Sequence, residues 1–386
     1  MTIVITGAGS GGHVTPLLAV ATELKKIDPK INVVFMGQKG DPFGQRLEKS
    51  DILDQSIYIS AGKFRRYHGA GLSQLLDFPT IFKNIIDFFK FIIGTIQAFF
   101  ILFRIKPSIV FIKGGYIGVP VGLAAAVLGI KYITHDSDTM PGLANRIIAR
   151  WALNHATGMP KELYSYPQDK TIYVGVPISD QYKKVSDSHM SEYKESLGID
   201  KKNQVILFAG GGLGSITLNE ALLSIVESIL EENPNVVLVN IAGKDHETEY
   251  NKKYDKKISA QMRKRVIVKG FVSDLYRYSG ASDLIISRAG ATNLAEFATQ
   301  AKACIIIPSP YLTGGHQVKN AKALEGSGAV EMLDEDVVTS NPSVLLDKIN
   351  ILVNSKQRRQ ELAENLNSFT KEDASLNLAQ LLIDKS

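Results

Sequence analysis

The chain has 386 residues, of which 45% are apolar and 22% are charged, and its formal net charge is +5. This length predicts two or three domains with cores of their own. The small positive excess, without basic residues alternating with stacking aromatics, argues against a nucleic-acid partner but suits an anionic surface. The single cysteine, Cys304, can form no internal disulfide, and the N-terminus lacks a signal-peptide pattern, so we expect a cytosolic protein.

Short apolar runs alternate with amphipathic stretches along the chain, which is typical of buried parallel strands separated by helices. The first half predicts a helix at 16–26 and strands at 3–6, 32–36, 108–112 and 131–134. The second half repeats the order, with a helix at 219–230 and strands at 205–209, 236–241, 266–269, 284–287 and 303–308.

These patterns predict an α/β fold of two Rossmann-like, doubly wound domains that face a cleft at the carboxyl ends of their strands. We place the domains at 1–178 and 179–370. For the final helical stretch, 371–386, packing back on the N-terminal domain is one option.

A glycine-rich turn, Gly7-Ala8-Gly9-Ser10-Gly11-Gly12, joins the first strand to the first helix. Glycines let a phosphate approach the backbone, and free amides at a helix start attract an anion. A dinucleotide cofactor would also need an acidic residue after the second strand, where the chain has Gly37-Gln38-Lys39. The turn therefore predicts an anion site of another kind.

His13 follows this turn directly, and Pro16 suits the first turn of the helix. An imidazole beside an anion site can accept a proton near neutral pH, which makes His13 a candidate general base. A purely structural histidine is the alternative.

The second half carries a similar turn at 287–296, where a strand ends, small residues follow and a helix begins. Its free amides suit a diphosphate. Glu296, about one turn into the helix, is placed to bind both hydroxyls of a ribose, unless it only stabilises the helix dipole. His316 and Gln317 offer groups for sugar hydroxyls or are plain solvent-facing residues. The glycines at 210–214 are weak evidence by themselves.

The segment 78–104 is crowded with Phe and Ile. Its longest uncharged run, 91–103, is too short to span ~30 Å of hydrocarbon as a helix. Two interpretations stay open, a buried core helix and an interfacial helix on an anionic membrane. In the second case the basic residues available to lipid phosphates are Lys63, Arg65, Arg66, Lys83, Lys90 and Arg104.

Taken in chain order, these motifs resemble those of the MurG family of peptidoglycan N-acetylglucosaminyltransferases over nearly the whole length. The matching motifs are Gly11-Gly12-His13-Val14-x-Pro16, Gly62-Lys63-Phe64-Arg65-Arg66-Tyr67, Lys113-Gly114-Gly115-Tyr116, His135-Asp136-Ser137-Asp138, Pro141-Gly142-Leu143-Ala144-Asn145, Ser287-Arg288-Ala289-Gly290 with Glu296, and His316-Gln317 with Asn320-Ala321. So many motifs in one order make the resemblance specific.

The resemblance implies the GT-B fold and an inverting enzyme of peptidoglycan synthesis. Such an enzyme moves N-acetylglucosamine (GlcNAc) from UDP-GlcNAc to the C4 hydroxyl of the muramoyl sugar of lipid I, giving lipid II. It implies a peripheral protein on the cytoplasmic face of the cell membrane, without a bound metal or other cofactor. The expected partners are UDP-GlcNAc, the polyprenyl-diphosphate-linked muramoyl-peptide acceptor and the anionic membrane surface, with cell-wall synthesis proteins as a further option.

The resemblance also implies roles for single residues, with His13 as the catalytic base. The residues implied for UDP-GlcNAc are Ser10, Gly11, Gly12, Asp138, Ser179, Gly212, Val272, Ala291, Thr292, Asn293, Leu294, Ala295, Glu296 and Gln317. Those implied for the diphosphate of the acceptor are Gly11, Gly12, Gly114, Gly115 and Tyr116.

Three positions depart from the family pattern. Asp138 stands where Asn is frequent, Ser179 replaces an arginine expected near the nucleotide, and Gly212 replaces a serine. These departures leave room for an altered donor. The open alternatives are another UDP-sugar-dependent glycolipid glycosyltransferase of the same fold, a hydrolysing or epimerising UDP-sugar enzyme, and a non-catalytic UDP-sugar-binding protein at the membrane surface.

Overall fold

The part of the chain that the structure describes contains two parallel sheets, one of seven strands and one of six. A computed structural model describes residues 1–7, 11–41, 50–63, 78–312 and 315–386. These residues divide into two units. The first comprises Met1–Asp180 and Lys371–Ser386, and the second comprises Gln181–Thr370.

The first unit alternates strands and helices along the chain. Its elements are β1 Thr2–Thr6, α1 Gly11–Ile27, β2 Asn32–Gln38, β3 Gln55–Ile59, α2 Phe78–Ile105, β4 Ile109–Ile112, α3 Gly118–Val127, β5 Tyr132–Asp136, α4 Leu143–Ile148, β6 Asn154–Thr157 and β7 Thr171–Tyr173. The strand order across the sheet is β3-β2-β1-β4-β5-β6-β7. The order therefore reverses between β1 and β4.

The second unit also alternates strands and helices along the chain. Its elements are α5 Asp187–Ser196, β8 Gln204–Ala209, α6 Ile216–Glu232, β9 Val236–Ile241, α7 Glu247–Lys257, α8 Ala260–Arg263, β10 Val266–Lys269, α9 Leu275–Ala281, β11 Leu284–Ser287, α10 Ala291–Thr299, β12 Cys304–Ile306, α11 His316–Glu325, β13 Glu331–Met332, α12 Glu335–Ser340, α13 Ser343–Asn354 and α14 Lys356–Asn367. The strand order is β10-β9-β8-β11-β12-β13, with its reversal between β8 and β11.

Helices cover both faces of the first sheet, which explains why its strands read as continuous apolar runs. Along β1, Ile3 and Ile5 pack in one cluster with the apolar side of α1, whereas Val4 packs in another with side chains of α2 and α3. Because successive side chains point to opposite faces of the sheet, β1 contributes to one core on each face.

The last helix, α15 at Ala374–Lys385, belongs to the first unit although it follows the second in sequence. Leu378, Ala379 and Leu382 are fully buried in the cluster that contains the apolar side of α1. Ser375 also donates a hydrogen bond from its hydroxyl to the carbonyl of Ile178 at 2.7 Å. The chain therefore closes its first core with its final residues.

Most predicted strands are found close to their predicted places, whereas the predicted start of α1 is wrong. The helix begins at Gly11, so Pro16 lies inside it and not in its first turn. Pro16 has no N–H to donate to the carbonyl of Gly12, four residues earlier. Strands β3, β6, β7 and β13 were not predicted. β6 reads Asn-His-Ala-Thr, and its polar side chains are buried, with His155 Nδ1 lying 2.8 Å from Thr134 Oγ1.

Helix α2 packs closely against the rest of the first unit, with a glycine at each of two contact points. A Cβ on Gly62 would lie 1.8 Å from the carbonyl oxygen of Asp87, and a Cβ on Gly94 would lie 1.9 Å from that of Ser60. The helix backbone therefore approaches the chain that follows β3 more closely than any side chain allows. Ala98 and Leu102 complete the buried side of the helix.

The opposite side of α2 is exposed and apolar. We define the α2 apolar face as Phe82, Ile85, Ile86, Phe88, Phe89, Ile92, Ile93, Ile96, Phe100 and Phe103, all of which are exposed. Among the described residues, only the stretch Pro79–Ile105 is long and apolar enough to cross a membrane, judged by length and composition, with a mean hydropathy of 1.9. The helix is thus much longer than the uncharged run that the sequence analysis considered.

We expect Gly94→Ala to destabilise the first unit by about 1–3 kcal/mol, because the added methyl group meets the Ser60 carbonyl and forces the helix outward. The measurement is the midpoint of chemical unfolding. Gly326→Ala is the control, since a Cβ there would lie 3.4 Å from the carbonyl oxygen of Lys322, an ordinary contact. Equal midpoints for the two variants would contradict the close approach of α2.

Candidate active site

Both units reverse their strand order next to the first strand of their sheet, at β1/β4 and at β8/β11. At such a switch point the connections leave in opposite directions, so a crevice opens at the carboxyl ends of the strands. The turns predicted from the sequence follow β1, β8 and β11, and the Gly114-Gly115 motif of the family resemblance follows β4. Each unit therefore carries its candidate residues at its own switch point.

In the first unit the candidates surround the ends of β1 and β4. Gly12 and the half-buried His13 lie in the first turn of α1. Gly114 and Gly115 follow β4 with φ values of +103° and +78°, a region that favours glycine. Ser10, by contrast, lies outside the described residues.

Tyr116 follows Gly114 and Gly115, and its hydroxyl group has a hydrogen-bond partner within the protein. Its hydroxyl donates a hydrogen bond to the side-chain oxygen of Gln38, at the end of β2. Burial raises the pKa of Tyr116 to about 12, so the phenol is neutral at physiological pH. The interaction ties the turn after β4 to the end of β2, on the other side of β1 in the sheet.

Asp136, the last residue of β5, organises the loop that carries Asp138. One carboxylate oxygen accepts from the backbone N–H of Gly142 at 2.8 Å and from the side-chain amide of Asn145 at 3.0 Å. The other accepts from the hydroxyl of Tyr166 at 2.8 Å. Burial raises the pKa of Asp136, and these hydrogen bonds oppose the rise. Asp136 is thus a structural carboxylate, while Asp138 lies half-buried on the loop it holds.

In the second unit the turns after β8 and β11 are joined directly. Arg288 donates from its guanidinium to the hydroxyl of Ser215, with the closer nitrogen at 2.9 Å, and pairs with the buried Glu335. Ser215 is also the N-cap of α6. Ser287 donates to the carbonyl of Ala209 at 2.6 Å. These bonds fix the two turns relative to each other.

Helix α10 presents its first amides without a side-chain cap. Its N-cap is Gly290, and the amide of Leu294 bonds back to the carbonyl of that glycine at 3.0 Å. The amides of Ala291, Thr292 and Asn293 precede this first helical bond. Thr292, Leu294 and Glu296 have buried side chains, whereas Asn293 and Ala295 are half-buried. The helix start is therefore suited to an anion such as a diphosphate.

Glu296 has a partner that the sequence analysis missed. Its carboxyl group is 5% exposed and accepts a hydrogen bond from the hydroxyl of Tyr182, which follows the boundary between the units. Burial raises the pKa of Glu296 to about 8, while the tyrosine hydrogen bond acts in the opposite direction. At neutral pH this carboxyl group is therefore largely protonated. No local sequence pattern connects two residues so far apart.

The remaining candidates lie in varied surroundings. Gln317 is buried and accepts from the N–H of Ser309 at 3.0 Å. Val272 is half-buried beside α9. Gly212 is exposed, and a Cβ there would meet nothing within 4 Å, so a serine would fit. Ser179 is half-buried and belongs to the first unit, not to the second where the sequence analysis placed it.

Comparison with known proteins assigns the chain to a family. The Glycosyltransferase family 28 N-terminal domain matches residues 3–157, and the Glycosyltransferase family 28 C-terminal domain matches residues 205–378. A relative from Caldicellulosiruptor saccharolyticus is 33% identical over 99% of this chain and 97% of its own length. It is named UDP-N-acetylglucosamine–N-acetylmuramyl-(pentapeptide) pyrophosphoryl-undecaprenol N-acetylglucosamine transferase. The chain belongs to this transferase family.

Further similarities agree with membership of the family. A transferase of the same name from Bacillus cytotoxicus is 30% identical over 99% of this chain and 98% of its own. The crystal structure of Acinetobacter baumannii MurG, 23% identical, has a similar fold, with a TM-score of 0.73 over 100% of this chain and 99% of that one. The predicted MurG-family resemblance, the GT-B architecture and the assignment as a UDP-GlcNAc-dependent glycosyltransferase are confirmed. The roles of single residues stay predictions.

The raised pKa of Glu296 predicts a pH-dependent difference in stability between the native MurG-family chain and the variant Glu296→Gln. The proton on the buried carboxyl stabilises the folded state fully below about pH 4.5, and this contribution is lost as the pH rises through about 8. Glutamine mimics the protonated acid at every pH. The native protein should therefore lose thermal stability relative to the variant as the pH rises from 5 to 9.

Thermal unfolding of both proteins across this range is the measurement. The matched control is Glu231→Gln, because Glu231 is exposed in the same unit and its replacement should leave a constant difference. Parallel curves for native and Glu296→Gln would show that Glu296 is ionised throughout.

Proposed function

We propose that this chain transfers GlcNAc from UDP-GlcNAc to the C4 hydroxyl of the muramoyl sugar of a polyprenyl-diphosphate-linked muramoyl-peptide, in peptidoglycan synthesis. The observation that carries the proposal is the 33% identity, over 99% of the chain, to a transferase named for this donor and acceptor. A glycine turn and a helix start at the switch point of each unit support it, since both substrates carry a diphosphate.

In the proposed reaction the acceptor hydroxyl attacks the anomeric carbon of GlcNAc from the face opposite UDP. The new C–O bond forms while the bond to UDP breaks, its electron pair leaves with the diphosphate, and the configuration inverts. His13 accepts the hydroxyl proton. The amides of Ala291, Thr292 and Asn293 are directed at the negative charge that grows on the diphosphate.

For the donor, Glu296 is the proposed ribose ligand. A protonated carboxyl group both donates and accepts hydrogen bonds, so it can exchange the Tyr182 hydroxyl for the two hydroxyls of a ribose. Gly212 leaves space in the β8 turn, which is compatible with a donor-binding turn that lacks the usual serine.

We expect His13→Ala to lower turnover by roughly 10²-fold or more while leaving UDP affinity nearly unchanged, because a general base acts in the transition state. The measurements are transfer of radiolabelled GlcNAc to the lipid-linked acceptor and calorimetric titration with UDP. His189→Ala is the control, since His189 is exposed on α5 in the second unit. Unchanged turnover in the His13 variant would contradict the assignment of His13 as the general base.

The same assay tests the acceptor. Transfer to a different polyprenyl-linked sugar, with none to the muramoyl acceptor, would favour another glycolipid glycosyltransferase of this fold. Loss of donor without any acceptor product would instead indicate hydrolysis.

We propose further that the chain works as a peripheral protein on the cytoplasmic face of the cell membrane and docks through the α2 apolar face. The acceptor's lipid tail stays in the bilayer, so the enzyme must bring its site to the headgroup. Lys63, Lys83, Lys90 and Arg104 are exposed near or along this helix, whereas Arg65 and Arg66 lie outside the described residues. Each such cation contributes about 1 kcal/mol at an anionic surface. The buried side of α2 packs on its own unit, which favours a helix lying in the interface over a spanning one.

Replacing Phe89 and Ile96 together with serine should weaken binding to phosphatidylglycerol vesicles roughly tenfold or more, since their exposed apolar surface no longer inserts. Transfer to a long-chain acceptor should fall, and transfer to a water-soluble short-chain analogue should not. Vesicle co-sedimentation and both activities are the measurements. The control replaces Val337 and Ile351, which are exposed in the second unit, with serine. Equal sedimentation of the two double variants would place the membrane surface elsewhere.

A further inference from the structure

Lys113, the residue after β4, is a buried cation with no hydrogen-bond or ion-pair partner among the described residues. It is 3% exposed, and no hydrogen bond or ion pair joins its ammonium to any residue that the structure describes. The other buried lysines of the described chain differ. Lys302 donates to the carbonyls of Gly280 and Ser282, and Lys194 pairs with Asp283.

An unpaired ammonium in this position is costly, because burial removes its hydration. Burial lowers the pKa of Lys113 to about 8, and the charges of Asp136 and Asp138 oppose that fall. The group therefore still carries its charge at pH 7. A cation kept in this state is more typical of a binding site than of a core.

The surroundings of Lys113 are those of an anion site. Its N–H donates to the carbonyl of Thr6 at 2.9 Å, and its Cβ lies 3.1 Å from the place of a Cβ on Gly7. The side chain therefore starts directly beside the point where the chain leaves β1 for α1. Gly114 and Gly115 follow it with positive φ, so no side chain of theirs covers the backbone there.

Three further buried polar atoms near the ends of β4 and β5 have no hydrogen-bond partner in the described part of the chain. They are Nδ1 of His135, Oγ of Ser137 and Oδ1 of Asn145. The side-chain amide of Asn145 lies 3.5 Å from the place of a Cβ on Gly114, so Asn145 borders the same turn. The charge of Lys113 acts on His135, where burial and then that charge lower the imidazole pKa. A buried polar group without a partner calls for a water, an ion or a ligand beside it.

We propose that Lys113 binds the diphosphate of the lipid-linked acceptor beside the turn Gly114-Gly115 that follows β4. The inference rests on the proposed function for the identity of the acceptor, whereas the anion site itself rests on geometry. Asp138, which stands where the family often has Asn, adds a negative charge near this site, and Lys113 offsets it. The substitution Lys113→Met would keep most of the bulk of the side chain and remove its charge.

The test compares Lys113→Met and Lys113→Arg with the native enzyme in the transfer assay. Lys113→Met should raise the KM for the lipid-linked acceptor about tenfold or more and leave the KM for UDP-GlcNAc within about twofold, because a charge-assisted hydrogen bond to the acceptor is lost. Native kcat/KM for the acceptor should fall as the pH rises above about 8, where the ammonium loses its proton. Lys113→Arg, which stays charged, should not show that fall.

Lys302→Met is the matched control, because Lys302 is equally buried but has carbonyl partners. It should lower thermal stability without changing the acceptor KM selectively. An unchanged acceptor KM in Lys113→Met, or a rise in the donor KM alone, overturns the assignment to the acceptor. If Lys113→Met unfolds, the pH profile of Lys113→Arg decides, and a fall identical to that of the native enzyme overturns the inference.

Binding of inorganic pyrophosphate separates this inference from the proposed function. With saturating UDP present, calorimetry should detect pyrophosphate binding to the native enzyme and at least tenfold weaker binding to Lys113→Met. If this difference is found but no transfer to the muramoyl acceptor occurs, the anion site stands and the proposed function fails. If transfer occurs but pyrophosphate binds both proteins equally, the inference fails alone.

Discussion

The backbone amides at the start of a helix are the groups on which this molecule depends. A helix leaves its first N–H groups without intrahelical partners, and a parallel sheet with right-handed crossovers directs those ends to one edge. Where the strand order reverses, two such connections diverge and leave space between them. Both units place glycines there, at 7, 12 and 114–115 in the first and at 210–214 and 290 in the second. The same backbone geometry thus gives each unit a place suited to a phosphate group.

Much of this scaffold could be predicted from the sequence, because apolar strands and glycine turns are local patterns. The strands at the centre of each sheet were predicted for that reason. β6 was missed because its Asn, His and Thr are buried only through tertiary hydrogen bonds. The start of α1 was missed because a proline inside a helix is locally unfavourable, and only the surrounding fold permits it.

The candidate residues show the same limit. The start of α10 could be recognised from spacing alone, and Gly114 and Gly115 from the resemblance to the MurG family. Spacing could not reveal three other features, because each depends on residues from separate elements. These are the hydrogen bond between Tyr182 and Glu296, the three donors around Asp136, and the burial of Lys113 without a described partner. A sequence shows which side chains can act, whereas burial and pairing decide which of them are charged.

The return of α15 to the first unit has a consequence for how the chain is made. Side chains of this 12-residue helix fill the core beside α1, so the first unit lacks part of its core while the second is being synthesised. Residues 181–370 can close around their own sheet as soon as they leave the ribosome. The N-terminal unit, although translated first, is completed last, and apolar side chains of α1 stay uncovered until the final residues arrive. A premature stop shortly before Ala374 would therefore damage the unit farthest away in sequence and spare the one just finished.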